Sequence, residues 1–128
     1  MVPLDIVRNH YLAAREGDFD RAFAAISEST TWTEAAGSAY AGTFTGPEAI
    51  AANVFARIGA DWSGFELQEL ELFPSDDRVL GTGWYAGTHV STGRSMRARF
   101  VHIWEVDGDR VVSFEQVVDS AAQNAAMA

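Results

Sequence analysis

After Asp61 the spacing of apolar residues drops from three and four to two, and it stays there almost to the end of the chain. Phe65–Phe73, Val79–Val90, Arg94–Val106 and Arg110–Val118 therefore read as four strands, each presenting one apolar face. Their separators, PSDD, STG and DGD, are turn-like and suit a meander. Such a sheet must cover its apolar face, and the segment before Asp61 is what can cover it.

That earlier segment reads as short helices. Leu4, Val7, Tyr11 and Ala14 share one helical face, and Gly17-Asp18 stops the helix and caps the next. A second helix is expected over Phe19–Ile26. Ser29–Glu34 (STTWTE) reads as a first strand, and AAGSAYAGTFTG as a glycine-studded loop. Gly46-Pro47-Glu48 opens a third helix, with Ile50, Val54, Phe55 and Ile58 as its buried stripe. AAQNAAMA reads as a small-residue tail. The expectation is α+β: a curved antiparallel sheet wrapped around about three N-terminal helices, as one domain over residues 1–128. Gly81, Gly83 and Gly87 would let the sheet bend into a cone with an open, ligand-sized pocket.

Composition narrows the chemistry. Eighteen acids against nine basic residues give a net charge of −9, with no basic cluster, so no nucleic-acid partner is expected. No apolar run approaches a membrane span, and the start has no signal-like core, so a cytoplasmic protein is expected. The absence of cysteine removes disulfides, thiol nucleophiles and cysteine metal sites. His10, His89 and His102 lack metal-ligand spacing, so no metal is expected. No Gly-x-Ser-x-Gly elbow, P-loop or dinucleotide fingerprint occurs, which leaves acid–base chemistry without a bound cofactor.

Alternation over Arg99–Val106 places Phe100, His102 and Trp104 on one side, an apolar wall with one polar group. His102 is either a pocket donor or a hydrogen-bonded core histidine. Glu34 follows Trp32 on the same strand face; among aromatics its carboxyl would be a raised-pKa base, at a solvated strand end an ordinary glutamate. Asp119 precedes Ser-Ala-Ala-Gln and is either a helix cap or an active-site acid. Trp32, Phe55, Trp62, Phe100, Trp104 and Gln116 are candidate walls for a small apolar ligand. Trp62, Trp84 and Tyr85 are equally of core or interface type.

The runs WTEAAGSAYAGTFTGPEAI and YAGTHVSTGRSMRARFVHIWEVDGDRVVSFEQVVDSA resemble a SnoaL-like domain of the nuclear-transport-factor-like superfamily. That superfamily includes ketosteroid isomerases and polyketide cyclases. The resemblance to ketosteroid isomerase implies Glu34 as the catalytic base and His102 at the position of a donor to an oxyanion. It implies a second donor in the first helix, where the match falls on His10 with Tyr11 beside it. The resemblance to polyketide cyclases pairs His102 with Asp119 instead. It also implies a homodimer joined through the outer sheet face. Because the scaffold hosts many chemistries and some non-enzymes, a ligand-binding or dimerisation module is the alternative.

Overall fold

A computed structural model describes residues 2–128. Pro3 at the first helical position, where its missing N–H costs nothing, and Asp5 in the first turn start α1 (Pro3–Arg15). The Asp18 carboxylate accepts from the Arg21 N–H and caps α2 (Phe19–Ala22). This helix is one turn long, half the length expected, and Phe19 is exposed rather than buried. The chain then enters β1 (Ile26–Glu34) three residues earlier than the sequence suggests. The expected glycine-studded loop contains a short strand, β2 (Gly42–Thr45), paired with the end of β1.

Pro47 opens three consecutive helical pieces: α3 (Pro47–Ile50), a π-helical turn (Ala51–Phe55) and α4 (Ala56–Asp61). Ile50 and Val54 are buried as the stripe requires, while Phe55 and Ile58 are half-buried against the core. The long strands follow as β3 (Trp62–Ser75), β4 (Arg78–His89), β5 (Ser95–Asp107) and β6 (Arg110–Val118). The tail is a helix, α5 (Ser120–Met127), capped by Asp119. Its alanine-rich composition carries little periodicity, which hides the helix from a pattern-based reading.

Together the strands form one six-stranded sheet in the order β2-β1-β6-β5-β4-β3. Its neighbours are antiparallel except β1 and β6, which run parallel, so the sheet is not antiparallel throughout. Local pattern cannot specify that pair, because its strands lie at opposite ends of the sequence. Register shifts in β3, in β1 and at Glu105/Val106 increase twist and curl the sheet. The inner face holds two apolar clusters. One gathers Val7, Trp32, Ile50, Trp104 and Phe114; the other gathers Tyr40, Trp62, Tyr85, Met96 and Phe100. No helix among the described residues is long and apolar enough to cross a membrane.

Candidate active site

Strand alternation delivers the site. Tyr85 on β4, His102 on β5, Gln116 on β6 and Glu34 on β1 all fall on the inner face and are buried, and Tyr11 reaches them from α1. Two glycines make room for this. His102 pairs across the ladder with Gly81, where a Cβ would stand 3.0 Å from the Tyr11 hydroxyl. Phe100 pairs with Gly83, where a Cβ would lie 2.7 Å from the Phe100 ring and 2.9 Å from the Gln68 carbonyl. Only a residue without a side chain leaves these rings in place.

The polar groups form a chain through the apolar interior. Trp104 Nε1 donates to the Tyr11 hydroxyl at 2.9 Å, and that hydroxyl bonds His102 Nδ1 at 2.6 Å. His102 Nε2 bonds the Tyr85 hydroxyl at 2.5 Å, and Gln116 Nε2 donates to the same hydroxyl at 2.9 Å. Gln116 Oε1 accepts from the Ala35 N–H at 3.3 Å, tying the chain to the residue after Glu34. The His102 ring stacks on Phe100 at 4.1 Å between centroids and meets Phe114 edge-on. Burial pushes its pKa well below the ordinary histidine value, with a smaller contribution from His10, so it is neutral at pH 7.

Glu34 is 3% exposed and has one hydrogen bond, from Trp32 Nε1 to Oε2 at 3.2 Å. Its Oε1 has no hydrogen bond and is not completely sealed, since no sealed side-chain oxygen or nitrogen among the described residues lacks a partner. Desolvation raises the carboxyl to about 7, partly offset by the indole N–H. Its charge raises the Tyr85 pKa, already lifted by burial, although the two groups make no hydrogen bond.

The remaining candidates separate on geometry. His10 turns away from the chain: Nδ1 donates to the Ala22 carbonyl at 2.8 Å, pinning α1 to α2, and burial lowers its pKa to about 4. Tyr11, not His10, therefore supplies the first-helix hydroxyl. Asp119 is exposed and accepts from the Ala122 N–H at 3.2 Å, so its carboxylate is taken by the α5 cap and not by His102. His102 itself is no free donor, since both ring nitrogens are bonded to tyrosines.

Of the candidate walls, Phe100 packs on Tyr85 and His102, and Trp32 stacks on Phe114 at 3.8 Å beneath Glu34. Trp104 is fully buried, and Trp62 lies in the second cluster with its indole N–H on the Tyr40 hydroxyl. Phe55 packs against Phe23, Trp32 and His10. Tyr85 is a core residue, as the sequence suggests, but its hydroxyl also meets His102, which the sequence did not point to. Its alternation with Gly81 and Gly83 on one strand face is the signal that would have found it.

Two clefts, of about 420 and 790 Å³, lie beside the helices. The first runs along α1, α2 and the starts of β1 and β6, and the second lies between α2 and the helices after Pro47; neither is lined by Glu34, Tyr85 or His102.

Residues 7–114 match the SnoaL-like domain family, and the chain belongs to that family. No curated protein matches the sequence. Among solved structures, a nuclear-transport-factor-2-like protein of Burkholderia thailandensis is 38% identical, with TM-score 0.96 over 100% of this chain and 98% of its own. TerC, co-crystallised with polyporic acid, is 20% identical with TM-score 0.86 over 98% of this chain and 97% of its own. A predicted SnoaL-like polyketide cyclase of Shewanella denitrificans is 13% identical with TM-score 0.80 over 98% and 96% of the two chains. The last two likenesses show the fold alone.

Proposed function

We propose that this member of the SnoaL-like family is an acid–base enzyme that moves a proton on a small, largely apolar carbonyl compound. The observation that carries the reading is the inward-facing Glu34 carboxyl, its Oε1 unbonded, beside a buried phenol–imidazole–phenol chain. A carboxyl held near 7 is poised to take a proton at neutral pH. Glu34 removes the proton from a carbon next to the carbonyl, and the electron pair moves onto the carbonyl oxygen. The hydroxyl chain donates a hydrogen bond to that oxygen as its charge grows, in surroundings too dry to screen it. Returning the proton to a different carbon gives an isomerisation; attack of the carbanionic carbon on a second carbonyl gives a cyclisation.

Small-molecule binding by relatives supports the reading, since TerC was crystallised with polyporic acid and one neighbour is a predicted polyketide cyclase. Solvent-deuterium incorporation into a panel of cyclic ketones and 1,3-diketones tests it without knowledge of the natural substrate. Exchange should occur next to the carbonyl, and Glu34→Gln should slow it by about 10²–10⁴-fold while sparing the fold. Unchanged exchange in that variant removes Glu34 from the mechanism. Absence of exchange and of ligand binding across the panel would leave the chain a non-catalytic module of the same fold.

The outer sheet face is the surface for a second copy. Leu80 and Val117 are 40% and 50% exposed there, and Phe73, paired with Leu80, is 48% exposed. Sedimentation at micromolar concentration should give a dimer, and Leu80→Lys should give a monomer.

A further inference from the structure

The hydrogen-bond chain has a proton count that singles out one of its members. Neutral His102 carries one ring N–H, so it donates to one tyrosine and accepts from the other. The tyrosine that accepts from His102 also accepts from its second partner, Trp104 Nε1 at Tyr11 or Gln116 Nε2 at Tyr85. Both lone pairs of that oxygen are then used, and its own O–H proton is left over. One spare hydroxyl proton therefore exists in either tautomer, at Tyr11 or at Tyr85.

The two ends are not equivalent. The Tyr11 hydroxyl bonds only Trp104 and His102, and a Cβ at Gly81 would stand 3.0 Å from it. A spare proton there has no acceptor among the groups the hydroxyl bonds, which costs about 1–3 kcal/mol where water does not reach it. The Tyr85 hydroxyl lies on the side of the chain that Gln116 ties to Ala35, next to Glu34, whose charge it feels without bonding to it. A spare proton at Tyr85 can serve an oxygen placed between it and Glu34.

The geometry points to Tyr85 as the catalytic residue that donates to the substrate oxygen, with His102 a positioning residue held as the Nε2–H tautomer by Tyr11. The inference rests on Glu34 being the base, and it names the donor that acts with it. Tyr11 donates to Nδ1, Nε2–H donates to Tyr85, and the Tyr85 O–H is turned outward from the chain. The substrate class follows: a carbonyl or enol oxygen presented to a neutral phenol, with the acidic carbon toward Glu34.

Long-range proton–nitrogen correlation NMR on ¹⁵N-histidine-labelled protein at pH 7 reads the tautomer directly. The unaltered protein and Tyr11→Phe should both show neutral His102 with the proton on Nε2. Tyr85→Phe should switch it to Nδ1, because Tyr11 is then the remaining acceptor. In the deuterium-exchange assay Tyr85→Phe should lose about 10²–10³-fold, and Tyr11→Phe less than about tenfold. An Nδ1–H or doubly protonated His102 in the unaltered protein overturns the assignment, even if no variant folds. Equal losses in the two Phe variants overturn it as well. Glu34→Gln should keep the Nε2–H tautomer, so failure of the base and failure of the donor register separately.

Discussion

The two apolar clusters inside the sheet are built from the same residue types and do different work. In the first, Trp32, Trp104 and Phe114 meet ring to ring, with centroids 3.8 to 5.5 Å apart, and His10, packed on the two tryptophans, is spent on a backbone carbonyl. In the second, Tyr85 and Phe100 also stack, at 4.4 Å, but the Tyr85 hydroxyl opens onto His102 and Gln116. A polar atom bonded to a carbonyl has its proton fixed in place. One bonded to a hydroxyl, which can give or accept, belongs to a network whose protons can be arranged in more than one way. The difference between a structural plug and a candidate site is thus the kind of partner, not the degree of burial.

Removing an aromatic from the plug should have the largest effect on stability. Trp104→Ala should cost about 3–5 kcal/mol in urea unfolding, since a fully buried ring leaves a cavity. A loss as small as that of a surface substitution would mean the first cluster is not the structural one.

The pH dependence of stability contrasts the two regions next. Glu34 keeps a proton in the folded state that the unfolded chain releases near its ordinary value of 4.5. The penalty for ionising it is absent below that pH and grows to its full size as pH rises through about 7, at up to about 1.4 kcal/mol per unit. His10 runs the opposite way. Lowered from 6.5 to about 4, it costs nothing above 6.5 and destabilises as pH falls through about 4. Urea midpoints of Glu34→Gln should therefore lack the fall seen in the unaltered protein between these limits on the alkaline side, while the acid-side fall persists. A difference curve that is flat with pH would show that Glu34 titrates as an ordinary solvated carboxylate.

Gly83→Ala should cost about 1–3 kcal/mol by pushing a methyl into the Phe100 ring and the Gln68 carbonyl. It should also broaden the His102 NMR signals, because Phe100 is the surface on which that ring lies. A stable variant with unchanged signals would show that the ring can move aside.

The smallest effect concerns the second carboxylate at the same end of the sheet. Asp119→Ala should lose about 0.5–2 kcal/mol through the α5 cap and leave deuterium exchange unchanged. A loss of exchange comparable to that of Glu34→Gln would restore Asp119 to the chemistry.

Much of this was legible in the sequence. The period-two stretches mark β4, β5 and β6 within a residue or two, and alternation on β5 places Phe100, His102 and Trp104 on one face. That Glu34 shares a strand face with Trp32 follows from their spacing of two, whereas its burial is decided by the packing around it. Harder to read were α5, whose alanines carry no pattern, and β2, short and among glycines. Tyr85 was hidden for another reason: an inward tyrosine on a strand looks the same whether its hydroxyl meets a core partner or a site.

The sequence by itself determined the layers and the faces, because apolar spacing is a local property that each segment expresses alone. It put a carboxylate on the strand face of Trp32 and a histidine between Phe100 and Trp104, and left open whether that carboxylate is buried. Which hydroxyls meet His102, that Tyr11 rather than His10 is one of them, and that Asp119 is a cap were decided only by the tertiary structure. The His102 contacts join residues 17 and 91 positions apart, as Tyr85 and Tyr11 are from it. They depend on helix rotation and on glycine clearance across the ladder, which exist only once the sheet has curled around α1.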